Sequence, residues 1–526
     1  MKGYNLVGFE ESRQGTATLK AFSTVTKTTL AEEFAIATKE EINRAIDKAG
    51  KAFEKYCRTS AVERALFLET IADEIMALGD ELIERAKLES GLPEARLQGE
   101  RGRTTGQLRL FAAVLREGSW VEAVIDTAMP ERTPLPRADI RKMLVPVGPV
   151  LVFGASNFPF AFSTAGGDTT SALAAGNPVI VKAHEAHLGT NELMANAISR
   201  AAQKCNMPDG VFSFVISNDV ETIQQMVKHE TIKAIGFTGS RKAGNAIFRT
   251  AAVDRKKPIP VYAEMSSINP VLVLPGKLNN NVAAIAAQLV SSVTLGAGQF
   301  CTNPGLIFVL QNADAVQLVN AIAELLLKTV PATMLNKEVC SNYYNSLHTL
   351  QRQQGVQVIA AVDNAGADYK GAAALLQVGA ADFIVNEALQ EEVFGPSTLV
   401  VVCKDQAELQ QAIASLHGQL TGTVIGTHED ISTFQPVISA LSDKVGRLLY
   451  NGVPTGVEVC HAMVHGGPYP ATTNANSTSV GADAIKRFAR PLCLQDCPQE
   501  FLPDALKDEN PLKIIRKVNG EYQCVN

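Results

Sequence analysis

Val150-Leu151-Val152-Phe153 and Pro178-Val179-Ile180-Val181-Lys182 are two short apolar runs joined, over 163–175, by mostly small residues. The runs read as buried strands and the stretch between them as a helix. The same alternation continues outward. A helix ending near Cys205 leads to Val211-Phe212-Ser213-Phe214-Val215, and Ile232-Lys233-Ala234-Ile235-Gly236-Phe237 leads to a helix from Ser240. Apolar strands alternating with helices predict an α/β fold with a doubly wound parallel sheet. Such sheets take ligands beyond the carboxyl ends of their strands, so the residues just after each run matter most.

A second alternation runs from near Pro260 to about Gly452. Its strands include Val271-Leu272-Val273-Leu274, Leu306-Ile307-Phe308-Val309-Leu310, Leu399-Val400-Val401-Val402, Gly422-Thr423-Val424-Ile425 and Arg447-Leu448-Leu449-Tyr450. It predicts a second α/β domain, as a chain of 526 residues would need. Residues 1–30 read as extended. Thr38-Lys39-Glu40-Glu41 and Ser60-Ala61-Val62-Glu63 are capping boxes opening two helices, the second closed by Gly79. A third helix runs from Asp80 towards Gly91, and a fourth carries Gln107-Leu108-Arg109-Leu110. Pro130, Pro134 and Pro136 keep residues 120–142 from holding a helix, so this segment reads as an arm. The tail from Arg487 reads as peripheral.

Composition excludes several classes. The net charge is −6, and no basic patch suggests a nucleic-acid partner. No run of about 18 apolar residues suggests a membrane span. The nine cysteines are scattered, without a Cys-x-x-Cys pair, which fits free thiols in a reducing cytoplasm. His184 with His187, and His461 with His465, lack a third ligand at metal-site spacing, so no metal is expected.

Gly298-Gln299-Phe300-Cys301-Thr302-Asn303-Pro304-Gly305 follows a buried helix, from about residue 281 to 295, and precedes a strand. A lone cysteine on a glycine-bracketed loop is either a small buried hydrophobe or a nucleophile. Glu264 ends an apolar strand, where a carboxylate is a strand-end charge or a general base. Asn157, just past another strand, is a turn residue or an oxyanion donor. Gly239-Ser240-Arg241-Lys242-Ala243-Gly244 opens a helix, a place where backbone N–H groups attract phosphate, although Gly-x-Gly-x-x-Gly is absent. Lys182-Ala183-His184-Glu185 suits a solvated loop or a ribose. His465-Gly466-Gly467-Pro468 has no accompanying Gly-x-Ser-x-Gly, which removes a serine hydrolase.

In this order and spacing, Asn157-Phe158-Pro159, Lys182, Gly236-Phe237-Thr238-Gly239-Ser240, Glu264, Gly298-Gln299-Phe300-Cys301 and Glu391-Glu392-Val393-Phe394-Gly395-Pro396 resemble the NAD(P)-dependent aldehyde dehydrogenase superfamily over nearly the whole chain. The resemblance implies that Cys301 is the nucleophile, Glu264 the base for the deacylating water and Asn157 the oxyanion donor. It implies that Lys182 and Glu185 meet the adenosine ribose, that Gly239, Ser240 and Gly244 form the pyrophosphate turn, and that Glu392 and Phe394 meet the nicotinamide end of NAD or NADP. It further implies a cofactor domain over 1–123, 143–262 and 453–485, a catalytic domain over 263–452, and an oligomerisation arm over 124–142 with the tail 486–526. A homodimer or homotetramer is expected.

Met265-Ser266-Ser267 and His465-Gly466-Gly467-Pro468-Tyr469-Pro470 depart from common family patterns. With Phe153-Gly154-Ala155-Ser156-Asn157-Phe158-Pro159, they are similar to 2,5-dioxovalerate dehydrogenases, a branch that also holds a long-chain fatty aldehyde dehydrogenase. The resemblance thus implies oxidation of 2,5-dioxopentanoate to 2-oxoglutarate, with a fatty aldehyde as the alternative substrate. A coenzyme-A-acylating enzyme and a non-catalytic relative are disfavoured by Glu264, Cys301 and Asn157. Phe158 and His465 are expected along the substrate tunnel. Arg103, on its lining helix, is expected either to hold a distal substrate carboxylate or to pair with Glu100. Glu185 should favour NAD, because a carboxylate repels a 2′-phosphate.

Overall fold

The computed structural model describes residues 1–363 and 367–523. Its first large sheet has seven strands in the order Val261–Glu264, Ala234–Thr238, Val150–Phe153, Val179–Lys182, Phe212–Val215, Asn5–Val7, Glu10–Ser12. The first five run parallel. Their residues are almost all buried, as a sheet covered by helices on both faces requires. The two N-terminal strands join antiparallel at the edge. Residues 1–30 are thus not only loosely extended; two of their short strands extend this sheet.

Both capping boxes form. Thr38 Oγ1 accepts from Glu41 N at 3.2 Å while the Glu41 carboxylate accepts from Thr38 N at 2.8 Å. Ile42, Ala45, Ile46 and Ala49 form the buried stripe of the helix Lys39–Tyr56. Gly79, with φ +56°, is the corner between the helices Ala61–Ala77 and Gly79–Ser90. The helix Glu94–Glu117 packs on Ala61–Ala77 and on Gly167–Ala175.

The second large sheet has the order Gln357–Ala361, Ala374–Gly379, Ser397–Cys403, Leu306–Leu310, Val271–Val273, Gln419–Ile425, Val445–Tyr450. Only its first strand is antiparallel. A third, five-stranded sheet joins Val124–Asp126 and Ile140–Pro146 to the tail strands Ala489–Gln495, Arg516–Val518 and Glu521–Gln523. Ile125, Leu502, Leu506 and Ile514 give it a small core of its own, so the tail is built into the arm.

Two expected boundaries fall inside strands. The strand Val261–Glu264 pairs with Ala234–Thr238, so the first sheet extends past residue 262 and carries Glu264. Ile140–Pro146 runs unbroken across 142/143 because it pairs along its length with Ala489–Gln495. The segment 453–485 does return to the first sheet: Met265 N donates to Ala471 O at 2.8 Å, and Thr473 N to Ala263 O at 3.1 Å.

Candidate active site

The loop before Cys301 is shaped by backbone that few residues tolerate. The helix Val282–Thr294 is followed by Gly296, Ala297 and Gly298 with φ of +56°, +57° and +66°. A Cβ on Gly298 would lie 2.2 Å from the main chain of Gly395, so this glycine meets both a torsional and a steric demand. That close approach ties the loop to the Glu391-to-Pro396 segment, and Asn303 Nδ2 adds a hydrogen bond to Gly395 O at 3.3 Å. Asn269 Nδ2 donates to Cys301 O at 2.8 Å and to Asn303 O at 2.9 Å. Gln299 holds the other side, accepting from Leu335 N at 3.0 Å. Asn269 and Gln299 were not evident as site residues in the sequence; each acts through main chain that is remote in number.

Three groups converge on one another. His465 Nε2 lies 2.9 Å from Glu264 Oε1 and 3.4 Å from Cys301 Sγ. Ser479 Oγ donates to Glu264 Oε2 at 2.7 Å. His465 is buried and held by its backbone, its N donating to Thr478 Oγ1 at 2.9 Å and its O accepting from Ser479 N at 2.8 Å. Its ring packs against Phe162. His465, expected along the tunnel, therefore stands between nucleophile and base candidates. His461 is exposed and takes no part.

Burial pushes the Cys301 thiol well above its ordinary range, and the Glu264 and Glu392 carboxylates push the same way against the Arg103 guanidinium. Burial also acts to raise Glu264, but His465, together with hydrogen bonds from His465, Ser479 and Cys301, outweighs it and holds the carboxyl below the usual range. Thus the thiol keeps its proton beside an ionised carboxylate that both it and His465 meet.

Asn157 Nδ2 donates to Gln299 O at 3.2 Å, two residues before Cys301. An amide nitrogen has two hydrogens, which leaves one for an oxyanion beside the thiol. Phe158 stacks edge-to-face on Phe162 and Phe300, with ring centroids 5.3 and 5.5 Å apart. The Arg96 guanidinium lies over Phe158 and Phe300, and Arg103 over Phe158 and Phe162. Glu100 accepts from Phe160 N and Ala161 N at 2.8 and 3.0 Å and pairs with Arg96 at 3.7 Å. The alternative of an Arg103–Glu100 salt bridge is therefore not made. Arg103 Nε and Nη2 are buried without a hydrogen-bond partner among the described residues. Arg109, on the same helix, turns outward to Asp73 at 2.9 Å.

The cofactor candidates line the strand ends of the first sheet. Lys182 ends its strand and pairs with Glu185 at 3.2 Å, its side chain 12% exposed against 49% for Glu185. Ser240 caps the helix Arg241–Arg249, accepting from Ala243 N at 3.3 Å, and Gly239 N donates to Glu264 O at 3.1 Å. Gly244 is buried, and a Cβ there would lie 2.6 Å from Met265 Sδ; helix–strand packing by itself accounts for this glycine. Burial pushes Glu392 up to about 7, against hydrogen bonds from the Ser266 hydroxyl and Ser267 N–H. Phe394 is half-buried beside it. Arg241 pairs with Glu391, fastening the helix start to this segment. The strand-end lysine, the helix N-terminus and the Glu185 and Glu392 carboxylates together suit a dinucleotide.

This fold and site are those of a dehydrogenase, and the pattern of the aldehyde dehydrogenase family matches residues 9–488: the chain belongs to that family and is an NAD(P)-dependent aldehyde dehydrogenase. It is 50% identical to alpha-ketoglutaric semialdehyde dehydrogenase 2 of Azospirillum brasilense, over 99% of this chain and 100% of that one. It is 47% identical to alpha-ketoglutaric semialdehyde dehydrogenase of Acinetobacter baylyi, over 93% and 92%. A solved betaine aldehyde dehydrogenase from Staphylococcus aureus, in complex with NAD+, superposes with a TM-score of 0.79 at 19% identity, over 96% of this chain and 98% of that one. Among the described residues, no helix is long and apolar enough to cross a membrane.

Proposed function

We propose that this protein oxidises 2,5-dioxopentanoate, the semialdehyde of α-ketoglutarate, to 2-oxoglutarate. The observation that carries this reading is Arg103. A guanidinium with two buried N–H-bearing atoms that have no hydrogen-bond partner among the described residues, within electrostatic reach of Glu100 and then of Cys301 and Glu264, is costly unless an anion completes its hydrogen bonds. A keto-acid aldehyde brings a carboxylate at the end remote from its reacting carbon, and the planar fork of arginine suits it. Arg96, on the other side of Phe158, adds a second cation. A fatty aldehyde would bring no anion to Arg103. The two semialdehyde dehydrogenases of similar sequence support the same substrate.

Residue roles follow from the geometry. Cys301 Sγ attacks the aldehyde carbon as its proton passes to His465 Nε2, whose charge Glu264 balances. The Asn157 amide and the Cys301 N–H stabilise the oxyanion. NAD(P), when bound, supplies the hydride acceptor, leaving an acyl thioester on Cys301. Lys182, Glu185, the Gly239–Ser240 turn and Glu392 would hold it, with Phe394 at the nicotinamide end. Glu264 then deprotonates the water that releases the acid. Glu185 favours NAD over NADP. A cofactor unit, a catalytic unit and an arm with its tail divide the chain, with the strand Val261–Glu264 in the first unit and Ile140–Pro146 in the arm. The arm joins subunits in a homodimer or homotetramer.

Steady-state NAD(P)H formation tests the proposal. 2,5-Dioxopentanoate should exceed hexanal in kcat/KM, coenzyme A should not be required, and Cys301→Ala should abolish turnover. A preference for hexanal would contradict the substrate assignment.

A further inference from the structure

Cys301, His465 and Glu264 are not only acid–base and nucleophilic groups; they are also a thiol, an imidazole and a carboxylate, the three donor types that zinc accepts. Their donor atoms all lie within 4.8 Å of one another. Sγ and Nε2 are 3.4 Å apart, and Nε2 and Oε1 2.9 Å. Tetrahedral zinc with ordinary bond lengths places such donors about 3.3–3.6 Å apart, so the two separations that involve Nε2 need shifts of about half an ångström or less.

The surroundings are built for fixed donors. Ser479 Oγ orients the Glu264 carboxylate from its other oxygen, as partners of metal ligands do. Two backbone hydrogen bonds clamp His465 on either side of its side chain. Asn269 holds the carbonyl of Cys301. Arg103 lies nearby, but the ion would arrive as the thiol loses its proton. Zinc, thiolate and carboxylate then sum to zero charge, one unit more positive than the thiol with the ionised carboxylate, so the three donor bonds must outweigh that single added charge beside the guanidinium.

We infer that these three side chains form a high-affinity inhibitory site for Zn2+ or a similar thiophilic divalent cation, which sequesters the nucleophile and the base together. Binding exchanges the Cys301 S–H proton for the metal and releases that proton to solvent; no oxidant or reductant takes part. Sequence spacing hides the site, because the three donors are separated by 164 and 201 residues from His465.

The test measures binding apart from turnover, so that it stands whether or not the substrate assignment holds. The full-length protein is titrated with buffered Zn2+ by equilibrium dialysis, and with Cd2+ by the thiolate-to-metal charge-transfer absorption. One tight ion per chain is expected, with inhibition of aldehyde oxidation in parallel and recovery on chelation. Cys301→Ala should abolish the tight ion and the absorption band. His465→Phe and Glu264→Gln should each weaken binding at least about tenfold, since even the loss of an outer partner of a metal ligand costs that much. Cys493→Ser, which removes an exposed thiol, should leave binding unchanged. Tight binding that survives in Cys301→Ala, or affinity unaltered in both His465→Phe and Glu264→Gln, would overturn the inference.

Discussion

His465 Nε2 stands 2.9 Å from Glu264 Oε1, which makes the imidazole the link between base and thiol. A neutral ring carries one N–H, so Nε2 can donate to Glu264 or accept from Cys301 but not both at once. Transfer of the thiol proton therefore requires a tautomer or charge change that the buried carboxylate stabilises. His465 touches the sulfur directly, and Glu264 is needed in full only for the water step. Glu264→Gln should accordingly show one fast turnover, then a steady-state rate lower by about 10²–10⁴-fold. Rapid-mixing kinetics with trapping of the acylated Cys301 checks this. A variant with neither burst nor thioester would place Glu264 in acylation as well.

Glu392 gives a pH dependence with a definite sign. Its folded pKa, up at about 7, lies above the ordinary carboxylate value. The fold thus favours the protonated form, and the stability it contributes is complete below the unfolded pKa and lost as pH rises through about 7. Without cofactor, Glu392→Gln should gain melting temperature relative to the parent between pH 5 and about 8. Thermal unfolding at several pH values measures the difference; a constant gap would mean that Glu392 titrates in its ordinary range.

Cofactor choice rests on Glu185, which is paired with Lys182 at 3.2 Å. A carboxylate accepts from a ribose 2′-hydroxyl and repels a 2′-phosphate. NAD should have the higher kcat/KM, and Glu185→Ser should move the ratio towards NADP. A parent enzyme whose kcat/KM with NADP exceeds that with NAD by about tenfold or more would contradict this assignment.

The sequence made legible what depends on local pattern. Capping boxes at Thr38 and Ser60, apolar strand runs and the left-handed demand at Gly298 are written within a few residues. What it left open depends on distant chain. Asn5–Val7 is too short to signal a strand, and its pairing with Phe214 on one side and Glu10–Ser12 on the other makes it one. Glu264 looked like the start of a second domain because the apolar alternation does not pause there, whereas hydrogen bonding assigns its strand to the first sheet. The resemblance put His465 along the substrate tunnel, but its place between Cys301 and Glu264 could not be read, since it depends on the return segment lying against that strand. Arg103 was legible as a helix residue too polar for its place; that two backbone N–H groups take Glu100 Oε1 and that Arg96, at 3.7 Å, forms the ion pair with Glu100 is a fact of packing.

The central claim is that the unpaired Arg103 reads the carboxylate of a keto-acid aldehyde. The most direct measurement is kcat/KM for Arg103→Met with 2,5-dioxopentanoate and with hexanal. Loss of a buried charged contact should cost about 2–5 kcal/mol with the keto-acid aldehyde, while hexanal is oxidised as well as before or better. Equal losses on both substrates would contradict the account and make Arg103 a structural residue.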